Sequence, residues 1–241
     1  MSRKRRMLYA GAAALAAMLS AVALLASPMF HITEINVRGN ARVTDEEIIE
    51  RMGIRATTNL VFFRAGRARE RLAENFFIAG AEFRRALPGT LNVEIDERRL
   101  MAYLEHMGMY LYLDDFGRVL DIRSYRAEPR PLIVGLQLDR FQFGETIEVP
   151  RHIALNAIVH YSLLLHHHGL TDQITHINVS DTSNIRILVG YWEFSMGDVM
   201  RAEDKIMHMK AMLGALPDRE LMRGFTDLRN LDSQLVFGIL Q

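Results

Sequence analysis

The sequence predicts an α+β fold: a single N-terminal transmembrane helix, then a βααββ domain, then a larger mixed β-sheet domain with packed helices. Three observations carry this reading. Leu8 to Ala26 is a run of 19 consecutive uncharged residues, close to the ~20 that cross a bilayer core. Between residues 31 and 98, two short helical periodicities interrupt a strand-and-hairpin pattern. Beyond residue 98, strand alternation dominates, and two further stretches read as helices packed on the sheet.

The first segment sets the compartment. Arg3, Lys4, Arg5 and Arg6 precede the apolar run and no basic residue follows it until Arg38, so the positive-inside rule leaves residues 1–6 as a cytoplasmic tail. Residues 7–29 then cross the membrane, and everything later is extracytoplasmic. A cleaved secretory signal is the alternative, because a basic start, an apolar run and the triplet Ala21-Val22-Ala23 occur together. Ser27-Pro28 ends the helix, since proline lacks the ladder donor and turns its predecessor away from helical angles.

In the next segment, Ile32, Ile35 and Val37 alternate with polar neighbours up to the turn Gly39-Asn40, giving a strand. Thr44 and Glu47 form a capping box ahead of Ile48, Ile49 and Met52, and Gly53 stops that helix. Asn59 to Phe63 leads into a second helix over 65–75, with Ala68, Leu72 and Phe76 at helical spacing. Ala79, Ala81, Phe83 and Arg85 alternate up to Leu87-Pro88-Gly89-Thr90, and Leu91, Val93 and Ile95 alternate after it, which closes a hairpin. Strand, helix, helix, strand, strand makes a three-stranded sheet with two helices on one face, about as small as a self-sufficient core gets.

Downstream, Leu100 to Leu104, Tyr110 to Leu113, and Val119 with Leu120 read as hairpin strands, the last two joined by the turn Asp114-Asp115-Phe116-Gly117. Leu132 to Gly135 reads as the end of a loop bounded by Pro129 and Pro131. Residues 151–168, closed by Gly169, read as a buried helix. Strands follow at 174–179, 185–189 and 192–196. The helix at 201–213 carries Ile206, Met209 and Leu213 on one face, and strands at 225–228 and 235–240 end the chain.

Composition narrows the chemistry. With 241 residues and no cysteine, thiol nucleophiles, thiolate zinc sites, iron–sulfur clusters and disulfides are excluded. Net charge is zero, yet the part after Phe30 holds 25 basic against 29 acidic side chains, a poor surface for gripping nucleic acid. Six of the nine histidines fall between His152 and His176. A helical metal site wants ligands four residues apart, but His160 is followed at that spacing by Leu164, and His166, His167 and His168 are adjacent. Histidines at a helix C-terminus complement its dipole instead. Neither a nucleophile elbow nor a Ser-x-x-Lys pair is present, and no cofactor is expected. A membrane-anchored envelope hydrolase using His160 and His167 with a metal is the rival reading. A secretion-type protein would need a long series of membrane strands that this length does not hold.

What remains is surface geometry. A terminal strand over Leu235 to Leu240 is either a sheet edge, open to a partner strand through its backbone, or an interior strand shielded by its neighbour.

The whole order resembles the FtsQ/DivIB family of bacterial division proteins. The resemblance is carried by Ile35-x-Val37-x-Gly39-Asn40, Thr44-x-Glu46-Glu47-Ile48, Asn59-Leu60, Leu87-Pro88-x-Thr90-Leu91-x-Val93 and Glu97-Arg98, which are similar to a POTRA domain. Further along it is carried by Leu113-Asp114-x-x-Gly117-x-Val119, by Gly197 with Lys205, and by Asp227-Leu228-Arg229. It implies a POTRA domain at 30–98 and a β domain at 99–241. It also implies a single-pass, non-catalytic scaffold of the division septum that binds FtsB/DivIC-type and FtsL-type proteins. Contact would run through Arg229, Leu231, Leu235, Val236 and Phe237, with a further docking surface on the POTRA domain. Asn230-Leu231-Asp232 departs from the aromatic and glycine residues more usual in that hairpin.

Overall fold

The computed structural model describes residues 3–215, 223–232 and 236–240. Helix α1 (Arg3–Leu25) carries the apolar run. Its Leu15, Met18, Leu19, Val22 and Leu24 are all exposed. Among the described residues no helix is long and apolar enough to cross a membrane. The side chains of residues 3–8 and Ala10, at the start of that run, lie outside the description.

Contacts divide the chain into Met1–Glu97 and Arg98–Gln241. The first unit holds β1 (Glu34–Arg38), α2 (Asp45–Met52), α3 (Ala65–Leu72), β2 (Ile78–Ala86) and β3 (Thr90–Glu97), the expected βααββ order. β3 lies central, parallel to β1 and antiparallel to β2. Its Leu91, Val93 and Ile95 are buried with Ile48, Met52, Ala68 and Leu72 of the two helices. The Thr44 half of the capping box forms, with Glu47 N–H donating to Thr44 Oγ1 at 3.2 Å, while Glu47 Oε1 accepts from Arg51 Nε at 2.9 Å and Asn75 Nδ2 at 3.1 Å. Gly53 takes left-handed angles (φ 68°) at the C-terminus of α2. α3 ends at Leu72, one turn earlier than periodicity suggested, where Asn75 Oδ1 accepts from Phe77 N–H at 3.0 Å and turns the chain toward β2.

Two of the family-like motifs have direct physical work in this unit. Glu97 accepts from the backbone N–H groups of Ala41 (3.1 Å), Arg42 (2.9 Å) and Val43 (2.7 Å), so one carboxylate shapes the loop ahead of α2. Gly39 (φ 86°) packs so closely on Ile95 O that a side chain there would meet the carbonyl.

The second unit is built on one nine-stranded sheet. Its strands are β4 (Ala102–His106), β5 (Met109–Leu113), β6 (Val119–Arg123), β7 (Leu132–Val134), β8 (His176–Asn178), β9 (Ile185–Val189), β10 (Trp192–Gly197), β11 (Arg223–Asp227) and β12 (Val236–Leu240). Their order is β12-β11-β10-β9-β8-β7-β4-β5-β6. β7 corrects the loop expected at Leu132 to Gly135. Three residues carry no period of their own, and the strand exists because β4 and β8 flank it, both parallel.

Parallel neighbours need crossovers, and the two helices supply two of the three: α4 (His152–His167) joins β7 to β8, and α5 (Ala202–Ala215) joins β10 to β11, while β5 and β6 intervene between β4 and β7. Both pack into the main core. Ala154, Ile158, Tyr161 and Leu165 of α4 and Ile206, Met209 and Leu213 of α5 are buried with Leu111, Ile133, Ile177, Ile187 and Phe194 of the sheet. On the other face, Tyr103 and Tyr112 are fully buried, edge to face at 4.8 Å. The Tyr112 hydroxyl donates to Tyr125 O at 2.8 Å and accepts from Ala127 N–H at 3.1 Å, pinning the proline-rich segment over the sheet.

Candidate partner-binding edge

The site is the β12 end of the large sheet. β11 pairs in parallel with β10, Trp192 opposite Gly224 and Phe194 opposite Thr226. β12 pairs antiparallel with β11, Asp227 opposite Val236 and Arg223 opposite Leu240. β12 therefore stands last, with its second row of backbone donors and acceptors unclaimed among the described residues. This decides between the two placements that sequence left open.

Small residues let these strands close up. A Cβ on Gly224 would come within 2.6 Å of both Gly238 O and the Trp192 ring, and one on Gly238 would meet Phe225 Cε1 at 2.5 Å. Trp192 covers Gly224 on the core face, and Phe225, 38% exposed, covers Gly238 on the other. Aromatic cover of an edge glycine replaces the packing that glycine lacks. The indole Nε1–H of Trp192 donates to Thr226 Oγ1 at 2.9 Å, buried on both sides.

The turn after β11 is tied down on both flanks. Leu228, fully buried, donates its N–H to Ser195 O at 2.9 Å. Arg229 folds back on Asp227, with Nε at 2.9 Å and 3.0 Å from the two carboxylate oxygens. That bond holds the Asp227 carboxyl below the usual carboxylate range and raises the Arg229 guanidinium. Gly197 leaves room for this arginine, since a Cβ there would lie 3.2 Å from Arg229 Cγ. Asp232 takes both oxygens to Arg201 Nη1 at 2.9 Å and 3.0 Å, and its N–H donates to Asn230 Oδ1 at 3.1 Å.

The residues expected at the contact divide into three kinds. Arg229 is exposed but engaged with Asp227, and Leu231 is half-buried against the main core. Val236 and Phe237 are the first two residues of β12, opposite Asp227 and Thr226, with side chains outside the description. Leu235 lies outside the described residues. Sequence reasoning missed Phe225, Tyr191 and Arg223. Tyr191 is 61% exposed and Arg223 sits 5.2 Å above its ring. The alternation Gly224-Phe225-Thr226, small and polar inward with an aromatic outward, was the signal available.

The other chemistry weighed from sequence is placed elsewhere. Asp114 is a turn residue: its Oδ1 accepts from Phe116 N–H and Arg118 N–H, each at 2.8 Å, and burial raises its carboxyl. His166 Nε2 lies 2.9 Å from Arg99 Nη1, and burial lowers His176. Among the described residues no three histidine or carboxylate side chains come together where a metal ion could be held.

This geometry defines a two-unit protein in which a βααββ domain precedes a mixed sheet with an open terminal edge. The family model for the POTRA domain, FtsQ-type, matches residues 30–98. Cell division protein DivIB of Clostridium tetani is 22% identical over 198 residues, spanning 82% of this chain and 74% of that protein. Cell division protein FtsQ of Bradyrhizobium diazoefficiens is 32% identical over 118 residues, 48% of this chain and 34% of that one. Cell division protein DivIB of Staphylococcus aureus is 33% identical over 94 residues, 39% of this chain and 21% of that one. The chain thus spans a fifth to three quarters of the relatives it matches. A solved extracytoplasmic domain of DivIB from Geobacillus stearothermophilus aligns at a TM-score of 0.34 and 19% identity, over 50% of this chain and 95% of that one. Residues 30–98 thus carry an FtsQ-type POTRA domain, and the chain is similar to bacterial cell division proteins named FtsQ and DivIB.

Proposed function

We propose that the protein is a non-catalytic membrane scaffold of the division septum that binds a FtsB/DivIC-type protein, itself paired with a FtsL-type protein, by strand addition to β12. The observation that carries this reading is the position of β12 at the end of the nine-stranded sheet. A partner strand would satisfy the outer backbone row, and exposed Phe225 would offer apolar contact beside it. Residues 1–6 form a cytoplasmic tail and 7–29 the anchor, with the POTRA domain at 30–98 and the β domain at 99–241 outside. Helix α1 ends at Leu25, so its part within the anchor, residues 7–25, is about 28 Å long, against a bilayer core of about 30 Å. Its exposed Leu15, Leu19 and Leu24 are suited to acyl chains.

The test uses calorimetric titration of the full chain, reconstituted in lipid nanodiscs, with the extracytoplasmic segment of the FtsB/DivIC-type protein from the same genome. Along an antiparallel edge, successive residues turn N–H alternately to the neighbour and to the open side. Proline at Val236 and proline at Phe237 therefore remove donors from opposite rows. One of the two variants is expected to stay folded and lose binding, and the other to lose β11–β12 pairing. Undiminished affinity in both, with circular dichroism unchanged, overturns strand addition.

A further inference from the structure

A cleft in the first unit, outside the edge just described, lies between the C-terminus of α2 and the N-terminus of α3. It encloses about 450 Å³, and Arg55, Arg64, Arg67 and Arg71 line it without a carboxylate among the lining residues. Three other arginines of this unit are committed: Arg51 pairs with Glu47, Arg84 with Glu82 and Glu94, and Arg85 donates to Phe63 O. Among the described residues no carboxylate pairs with Arg55, Arg64, Arg67 or Arg71. Arg71 is held in place by donating Nη1 to Met52 O at 3.3 Å, over a glycine, Gly53, whose missing side chain makes the space. Four like charges around one space repel each other until an anion joins them. Guanidinium forks match phosphate oxygens two at a time.

The wall of this cleft is stitched to the residues that leave α1. Asn59 Nδ2 donates to Leu25 O at 2.8 Å, while Asn59 Oδ1 accepts from Val61 N–H at 2.9 Å. Ile32 N–H donates to Thr58 O at 2.8 Å and Leu60 N–H to Phe30 O at 2.7 Å. Phe62, 54% exposed, stands on the cleft rim, and Met29 after α1 is 59% exposed. Apolar tips beside a cationic cleft, at the end of an anchoring helix, match the layering of a membrane surface.

We infer that this cleft binds the phosphate of an anionic phospholipid headgroup, docking the POTRA domain against the membrane with Phe62 in the interface. The inference rests on the reading of α1 as the anchor, so the test monitors both. The chain has no cysteine, so a single introduced thiol carries a polarity-sensitive fluorophore. Gly66→Cys, in α3 beside the cleft, and Gly11→Cys, in α1, are suitable because a Cβ at either position meets nothing within 4 Å. Each labelled full-length protein is reconstituted in phosphatidylcholine vesicles with and without phosphatidylglycerol.

The Gly66→Cys probe is expected to report docking in the anionic vesicles and not in neutral ones, with the effect fading as salt rises. Arg64→Gln and Arg67→Gln are each expected to lower the docked-to-undocked ratio roughly fivefold, whereas Arg84→Gln on β2 leaves it unchanged. Equal signals in both vesicles, with the Gly11→Cys probe in an apolar environment, overturn the headgroup site and leave the anchor intact. A water-exposed Gly11→Cys probe overturns the anchor itself. An equal response to inorganic phosphate or to an acidic peptide in neutral vesicles assigns the cleft to a soluble anion and overturns the lipid reading.

Discussion

Trp192 and Thr226 join the two parallel strands at the open end of the large sheet through one buried hydrogen bond, Nε1–H to Oγ1 at 2.9 Å. The pair matters because β11 reaches β10 only after the long excursion through α5, and β12 reaches the sheet only through β11. Everything presented to a partner at this end hangs on that seam.

Thr226→Val keeps the shape of the side chain and removes the acceptor, leaving the indole N–H buried and unpaired. The expected cost is about 1–3 kcal/mol. Trp192 is the only tryptophan, so its fluorescence during urea denaturation reads this seam directly. A midpoint equal to that of the parent protein would show that the bond contributes nothing.

The glycines of the seam make a second test. Gly224→Ala places a methyl 2.6 Å from Gly238 O, and a strand carbonyl cannot retreat without moving β12. The expected loss is about 1–3 kcal/mol, together with weaker partner binding. Gly214, in α5, meets nothing within 4 Å, so Gly214→Ala is expected to stabilise by about 0.5–1 kcal/mol. Thermal denaturation of the two variants should shift in opposite directions.

The Asp227–Arg229 pair sets a pH dependence. The bond to Arg229 holds the folded carboxyl below its unfolded value, so the stabilisation is present above the unfolded carboxylate range and is lost as pH falls through the folded one. Acid titration of stability should therefore be shallower in Asp227→Asn, with the difference confined to the acid side. A variant that loses stability equally at neutral pH and in acid would point to a packing role for Asp227.

The parts of the fold that were legible rest on local chemistry. Thr44 and Glu47 with Gly53 bound α2 whatever surrounds it, and the alternation Leu91, Val93, Ile95 fixes the inward face of β3. The turn at Asp114 was equally readable, because its carboxylate bonds to N–H groups two and four residues on. Long-range pairing was not legible. β7 is a strand only between two parallel neighbours, and nothing in residues 132–134 announces them. The candidate site shows the same division. The strand at 236–240 could be read, but its place at the edge depends on β11 entering parallel to β10 by way of α5. Arg229 read as a contact residue, yet its guanidinium is occupied by a carboxylate two positions earlier.

Glu97 gives the sharpest test of the first unit by itself. Its two oxygens accept from three successive backbone N–H groups, those of Ala41, Arg42 and Val43, so both must be acceptors. Glutamine would turn an NH₂ group toward at least one of these donors, setting donor against donor. Glu97→Gln is therefore expected to cost about 1.5–3 kcal/mol, the range for hydrogen bonds to a charged group. The loop from Asn40 to Val43 leads directly into the α2 N-cap, so the damage should spread there. Hydrogen exchange is the measurement: the amides of Ala41 to Val43 and the first turn of α2 should lose protection in Glu97→Gln. Those of β9 and β10, in the other unit, should exchange as in the parent. Loss of protection in both units alike would mean that they unfold as one, and full protection at Ala41 to Val43 would remove Glu97 as the organiser of this loop.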